Sequence, residues 1–416
     1  MDPSLTTALE SVGDVGQLAT SIEGYVYPNE QNLLWSVLIV VYPYITGLVA
    51  GAFIMASLVR VFNVKALTPV YRMALLTALG FLICAPLPLL FHLGHPERSY
   101  QVMITPHLSS PMAMFGFVYA WYMMAVLLLE LWCEYRRDLV VWSRCTRGLK
   151  GFIYRVLTLG VSDISPAALH VDESMSKAIT VIGIPSAFLL HGYVGFIFGS
   201  IKANPWWGNV LMPVIFIFSA IVSGIALCVV LYKELCWFRR KQVDPACLDE
   251  MGKFLFYALL VDFCVEGLDW LHRLYAAEES ISVLKQLAGG RLFNTLLVVQ
   301  LCLGTLLPLL ALGATQVVPE RIPSWFRQRL YYNSAFLILA GVLAMRWNVV
   351  IGGQLFSKSL RGFTTFKLGL AGQEGWLLSV GLLVLPFVVL AVLIWLFLPD
   401  DQTPTNAREA AGPPAG

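Results

Sequence analysis

Residues 376–398 read WLLSVGLLVLPFVVLAVLIWLFL, 23 consecutive positions without a charged side chain. About 20 apolar residues of helix cross the roughly 30 Å of a bilayer's hydrocarbon. A soluble helix, by contrast, keeps one polar face. This stretch is therefore a membrane span. Outward from it, comparable runs lie near 33–60, 68–92, 111–135, 174–201, 210–235, 252–273, 292–316 and 331–351. The whole chain agrees: 58% of its 416 residues are hydrophobic and 13% charged, against roughly a quarter charged in a soluble domain. The expectation is an all-α polytopic membrane protein with about nine transmembrane helices. Nucleic-acid binding is excluded, because the net charge is only +2 and the basic residues sit in short clusters between apolar runs.

The first 32 residues hold no Lys or Arg and carry Glu10, Asp14, Glu23 and Glu30, so they lack the basic start of a cleaved signal peptide. The first span then reads as a signal anchor with the N-terminus outside. Under that orientation 19 of the 28 Lys and Arg fall in cytoplasmic connections and eight in external ones, with Arg346 inside a span. This is the bias the positive-inside rule requires. The expected location is a bacterial inner membrane, N-terminus periplasmic and C-terminus cytoplasmic. The connection 136–173 mixes arginines with Trp142, Phe152, Ile153, Tyr154 and Leu157, and reads as an interfacial helix on the anionic inner surface. Trp206 and Trp207 read as interface anchors, and the Pro- and Ala-rich segment 400–416 as a disordered tail.

A charge within the hydrocarbon costs about 2.5–3.5 kcal/mol on insertion scales and persists where it faces a bundle interior or a cavity. In the sixth span Asp262, Glu266, Asp269 and Arg273 stand at i, i+4, i+7 and i+11, one stripe of a helix. Stacked acids that exchange protons are what a proton path needs. Equally, Asp269 and Arg273 can form a local pair at the membrane edge, with Glu266 bonding a neighbouring helix. Arg346 in the eighth span either snorkels to the external water or needs an acid partner, for which the acidic stripe is the obvious candidate. Glu130 in the third span, buried deeper than Glu134, is a candidate for extending a proton path inward; Glu134, beside Arg136 and Arg137, reads as a solvated helix end.

His191 lies near the middle of the fourth span, where a lone histidine is either a hydrogen-bonded core residue or a ligand. The six histidines offer no facing pair for haem b, and the eight cysteines contain no CxxC. Neither haem nor an iron–sulfur cluster is expected in this chain, nor any other metal.

The second span ends in Phe91-His92-Leu93-Gly94-His95-Pro96-Glu97-Arg98, and the third begins Ser109-Ser110-Pro111-Met112. The eighth closes with Arg346-Trp347-Asn348-Val349-Val350-Ile351-Gly352-Gly353-Gln354. Together with His191 and the Phe216–Gly224 stretch of the fifth span, these strings resemble the NrfD/PsrC family of quinone-interacting membrane subunits over residues 33–356. The length and the extra C-terminal span are most similar to its large members, the hydrogenase subunit HybB, the alternative complex III subunits and the quinone reductase complex subunit QrcD. The resemblance implies two four-helix bundles, 33–203 and 204–356. A loop and peripheral helix would follow over 357–399, after a periplasmic N-terminal segment 1–32. It also implies a quinone, menaquinone foremost, bound near the external surface beside a periplasmic iron–sulfur subunit. Further subunits, molybdopterin-like or multihaem cytochromes, would complete such a respiratory complex. Carried over by position, His92, His191, Asp262 and Arg346 would surround the headgroup or its proton path, joined by His95, Glu266 and Asn348. The sequence departs from many members at His92, where they carry an acid.

Quinone reduction takes up two protons, so rechargeable donors near water suit it. Asp262, His191 and His92 are the expected donors, with Glu266, Asp269 and Glu130 along the path. The Phe- and Leu-rich first and second spans can line an apolar route for the quinone tail. The reading is thus a quinone-reactive subunit of a periplasm-facing oxidoreductase, quinone reduction preferred. Its rivals are an ion or proton transporter, for which the stripe would be the transport path, and a passive membrane anchor of a complex.

Overall fold

The computed structural model describes residues 23–398, apart from 32, 106, 108, 110–115, 117, 277–279, 368 and 373. The expected N-terminal segment before Glu23, the Ser110-Pro111-Met112 onset of the third span and the tail from 400 lie outside the described residues. The remainder is almost wholly helical. The principal helices are α1 (Val37–Arg60), α2 (Thr68–Cys84), α3 (Leu87–His92), α4 (Leu128–Cys145), α5 (Gly148–Leu157) and α6 (Pro166–Gly199). They are followed by α7 (Met212–Phe238), α8 (Pro245–Ala276), α9 (Ile281–Gly289), α10 (Leu307–Val317), α11 (Ser324–Val350) and α12 (Trp376–Phe397). Two segments, Tyr122–Leu127 before α4 and Phe293–Leu306 before α10, are wound as π-helix.

Seven helices among the described residues are long and apolar enough to cross a membrane, and they coincide with seven of the nine expected spans. The third expected span begins in residues outside the described set. The sixth lies within the 32-residue α8, whose acids lower its hydropathy. Helix caps are local: the Ser36 hydroxyl accepts from the Leu38 amide, and Ser165 from that of Ala168, with Pro166 at the first turn of α6. Hydroxyls facing the interior bond back to their own helix, Thr46 to Tyr42 O at 2.9 Å and Thr77 to Met73 O at 2.8 Å. Such bonds satisfy the hydroxyls where no water can.

Helix α1 is the centre of the molecule. It packs against α2, α6, α7 and α11, and most of its side chains are buried. Its contact with α7 is close because Gly51 and Gly224 face each other, and a Cβ on either would run into the other's backbone. Gly304 and Gly341 bring the second π-helix and α11 together in the same way. Helix α12 packs on α2 at the periphery, with only 22% of its apolar stretch buried.

Contacts at the helix ends fix which connections share a side. Strand β1 (Glu23–Tyr25), ahead of the first span, pairs antiparallel with β2 (Arg361–Phe363), between the eighth and ninth, in the register Gly24↔Gly362. At the opposite face the Tyr154 hydroxyl of α5 donates to Leu396 O at 2.8 Å, and Arg239 donates to Leu398 O. Even numbers of crossings separate the partners in every case. These crossings are counted over the nine expected spans, of which seven are long and apolar enough to cross a membrane among the described residues.

The connection 136–173 is helical over most of its length. Helix α4 runs on to Cys145, α6 starts at Pro166, and α5 lies between them, exposing Leu149, Phe152 and Val156 while burying Tyr154. Two expectations are corrected. Trp206 and Trp207 are buried rather than anchored at an interface, since their indole nitrogens donate to Asn348 O and Val349 O, carbonyls near the end of α11. Glu134 is not a free solvated end: it accepts from Arg72 at 2.8 Å and Arg60 at 3.4 Å, because both arginines lie at span ends beside it.

Candidate functional site

Among the described residues Arg346 is the largest fully buried side chain. Its Nη2 donates to His191 Nε2 at 3.0 Å and to Ser219 Oγ at 2.7 Å, and Nη1 approaches Met345 Sδ at 3.1 Å. The guanidinium carbon stands 4.0 Å from the centre of the Phe216 ring, on which His191 stacks at 5.7 Å. Three helices contribute: α6 brings His191, α7 brings Phe216 and Ser219 one turn apart, and α11 brings Arg346. The cation is held by neutral acceptors and a π face. The expected partner, an acid of the sixth span, makes no ion pair with Arg346 among the described residues; Asp262 and Glu266 act on it through space only. His191 and Ser219 take Nη2 instead, and Nε of Arg346 has no hydrogen-bond partner among the described residues.

The acidic stripe divides along its length. Asp262 is buried, and its Oδ1 has no hydrogen-bond partner among the described residues. Glu266 accepts from Gln300 Nε2, at 3.2 Å for the nearer oxygen. Asp269 pairs with Arg273 at 2.8 Å and accepts from Asn209, while Arg273 also donates to Pro205 O at 2.7 Å. Asp269 is thus the local pair at the helix end and Glu266 bonds a neighbouring helix through Gln300, while Asp262 keeps an oxygen without a hydrogen-bond partner among the described residues.

Above Asp262, toward the face that carries the β1–β2 pair, a cavity opens among α7, α8, the second π-helix and α11. It is an open cleft in which water-sized groups can occupy about 60 Å³. Trp206, Trp270, Met212, Ile215, Leu296, Met345 and Val349 supply apolar walls, and Glu266, Gln300, Asn348, Asp269 and Arg273 supply polar ones. The indoles of Trp206 and Trp270 meet edge to face at 5.9 Å. A flat ligand with polar groups on its rim matches such a lining. Its lining comes from the fifth to eighth spans and from Trp206 in the connection ahead of the fifth.

The remaining expected residues are elsewhere. His92 closes α3 with Nδ1 2.8 Å from Glu374 Oε1, and His95 pairs with Glu97 at 3.0 Å; neither bonds to the Arg346 cluster. Glu130 is fully buried near the opposite face. It accepts from Thr180 Oγ1 at 2.8 Å, and its second oxygen has no partner among the described residues. Asn348 lines the cavity. Gln300, Thr295 and Ser219 were not singled out from sequence. A signal existed for Gln300, an amide in mid-span that must find a partner in hydrocarbon. Among the described residues no group of His, Cys, Asp and Glu is arranged to hold a metal.

A multi-pass helical protein with a buried arginine cluster and an acid-lined cleft toward one face is an integral membrane protein. The chain belongs to the NrfD family: residues 26–358 match the family described as "Polysulphide reductase, NrfD". It is 30% identical over 327 residues to a selenate reductase subunit of Mesobacillus selenatarsenatis, covering 76% of this chain and 73% of that protein. It is 28% identical over 203 residues to protein NrfD of Escherichia coli, covering 48% of this chain and 60% of that protein. A third relative is the Hdr-like menaquinol oxidoreductase integral membrane subunit of Archaeoglobus fulgidus, 22% identical over 387 residues, 87% of this chain and 84% of that protein. The chain is thus a membrane subunit of an oxidoreductase complex.

Proposed function

We propose that this subunit exchanges electrons between a peripheral iron–sulfur partner and a quinone, menaquinone foremost, in the direction of quinone reduction. The observation that supports the reading is the cavity whose apolar walls, Trp206 and Trp270 among them, converge on Glu266, Gln300 and Asn348. Its aromatic walls suit a quinone ring, and Glu266 at its polar side can bond a quinone oxygen. A relative named for menaquinol points the same way. Two electrons from the partner and two protons convert quinone to quinol. Glu266 stands at the cavity to hand over a proton, and Asp262, one turn deeper on α8, stands to exchange one with Glu266. Arg346 and His191 keep this region polar and fixed. His92 and His95, at the same face, supply proton exchange with water or contacts to the partner.

In this reading the β1–β2 face is periplasmic, the opposite face cytoplasmic and the membrane a bacterial inner membrane. The positions grouped as 33–203 and 204–356 form two four-helix bundles with α12 outside them. Coupled proton movement finds support in Glu130, a carboxyl buried near the opposite face with one oxygen unpartnered among the described residues. The test is quinone-dependent electron transfer by the intact purified complex carrying Glu266→Gln. Assembly with all partner subunits and a turnover loss of at least about tenfold is the expected result. Wild-type turnover in that variant overturns the placement of the quinone.

A further inference from the structure

Gln300 is bonded at both ends of its amide. Its Nε2 donates to Glu266, and its Oε1 accepts from Asn348 Nδ2 at 2.9 Å. Asn348 Oδ1 accepts in turn from the Thr295 hydroxyl at 2.6 Å. Each orientation forces the next. An ionised carboxylate only accepts, so Gln300 must show it the NH2 end, which leaves its oxygen for the NH2 of Asn348, and the Asn348 oxygen for a donor. Thr295 is that donor.

The chain of bonds also has a second consistent state. A protonated Glu266 can donate to the Gln300 oxygen once the amide turns over, and Asn348 then turns over as well. Thr295 loses its acceptor in that state, yet another is already in place, the Leu292 carbonyl 3.3 Å from its oxygen. The π-helix makes this possible, because i and i+5 share a side of a π-helix, as Thr295 and Gln300 do here. The charges that face Glu266 are Asp262 and Asp269 on its own helix and Arg346 on α11. None of them supplies Glu266 with a hydrogen bond. Gln300 does.

We propose that Gln300 is a positioning residue for Glu266, and that the Gln300–Asn348–Thr295 relay keeps that carboxyl aimed at the cavity in both its protonated and ionised states. The inference rests on the quinone reading and assigns the relay a role within it. Glu266 passes its proton to the quinone oxygen and takes another from Asp262; the relay turns over at each step and itself gains or loses no proton.

The experiment is steady-state electron transfer to a short-chain menaquinone analogue by the intact purified complex carrying Gln300→Met, Thr295→Val, Glu266→Gln, or either of the first two together with the third. Gln300→Met should lower kcat at least about tenfold and change KM less than about threefold. It should add nothing in the Glu266→Gln background. Thr295→Val touches neither the cavity wall nor Glu266, and should lower kcat about threefold alone and add nothing when combined with Glu266→Gln. This variant decides if Gln300→Met fails to assemble. Normal kcat in Gln300→Met and Thr295→Val beside a slow Glu266→Gln overturns the relay while leaving the quinone reading standing. So do losses that multiply in either double variant. Absence of quinone turnover in the wild-type complex overturns the quinone reading itself, and the relay's role with it.

Discussion

Nη2 of Arg346 donates to Nε2 of His191 across 3.0 Å, and this single bond fixes the histidine's state. Arginine has donors only, so His191 must present an unprotonated Nε2 and carry its hydrogen on Nδ1. His191 is therefore an acceptor for the buried cation before it is anything else.

Replacing His191 with Phe should cost about 2–3 kcal/mol of stability, because it leaves a charged donor buried without its acceptor. His191→Gln keeps an acceptor oxygen and should recover more than half of that loss. Thermal unfolding of the purified complex in detergent measures both. Equal stability of the two variants would mean that the bond contributes nothing.

Asp262→Asn preserves shape but removes a group that gains and loses a proton. The variant should assemble normally and lose at least about tenfold in quinone turnover. Full turnover at normal subunit levels would remove Asp262 from the proton path and leave Glu266 to be recharged directly from water at the cavity mouth.

Gly224→Leu should cost about 3 kcal/mol or more, since the added side chain meets the Gly51 backbone, which cannot move without parting α1 from α7. Gly267→Ala is the control on α8: nothing lies within 4 Å of its Cβ position, so stability should hold or rise by up to about 1 kcal/mol. Membrane yield and melting temperature of the two variants make the comparison.

Reporter fusions after Gly148 and after Gly372 should report opposite sides of the membrane, cytoplasm and periplasm respectively. The shared side of β1 and β2, and of α5 and the end of α12, demands opposite signals whatever the absolute orientation. Identical signals would contradict the fold; reversed ones would overturn only the periplasmic assignment of the cavity.

The class of protein was legible from the residues alone, because apolar length and charge content are additive along a chain and need no partner to be read. Residues 376–398 alone demand a bilayer, and the Lys and Arg distribution alternates with the spans. Spacing along one helix was equally legible: Asp269 and Arg273, four apart, do form the pair that helical geometry offers. Which helix faces which depended on the folded arrangement. Arg346 was readable as a buried cation in need of a partner, yet His191 and Ser219, 155 and 127 positions away, took the place expected of an acid. Gln300 carried no signal beyond being an amide in a span, since its meaning comes from a π-helix that no residue pattern announced and from neighbours on two other helices. In hydrocarbon a polar group must bond to something; the residue type creates that need, and packing alone chooses the partner.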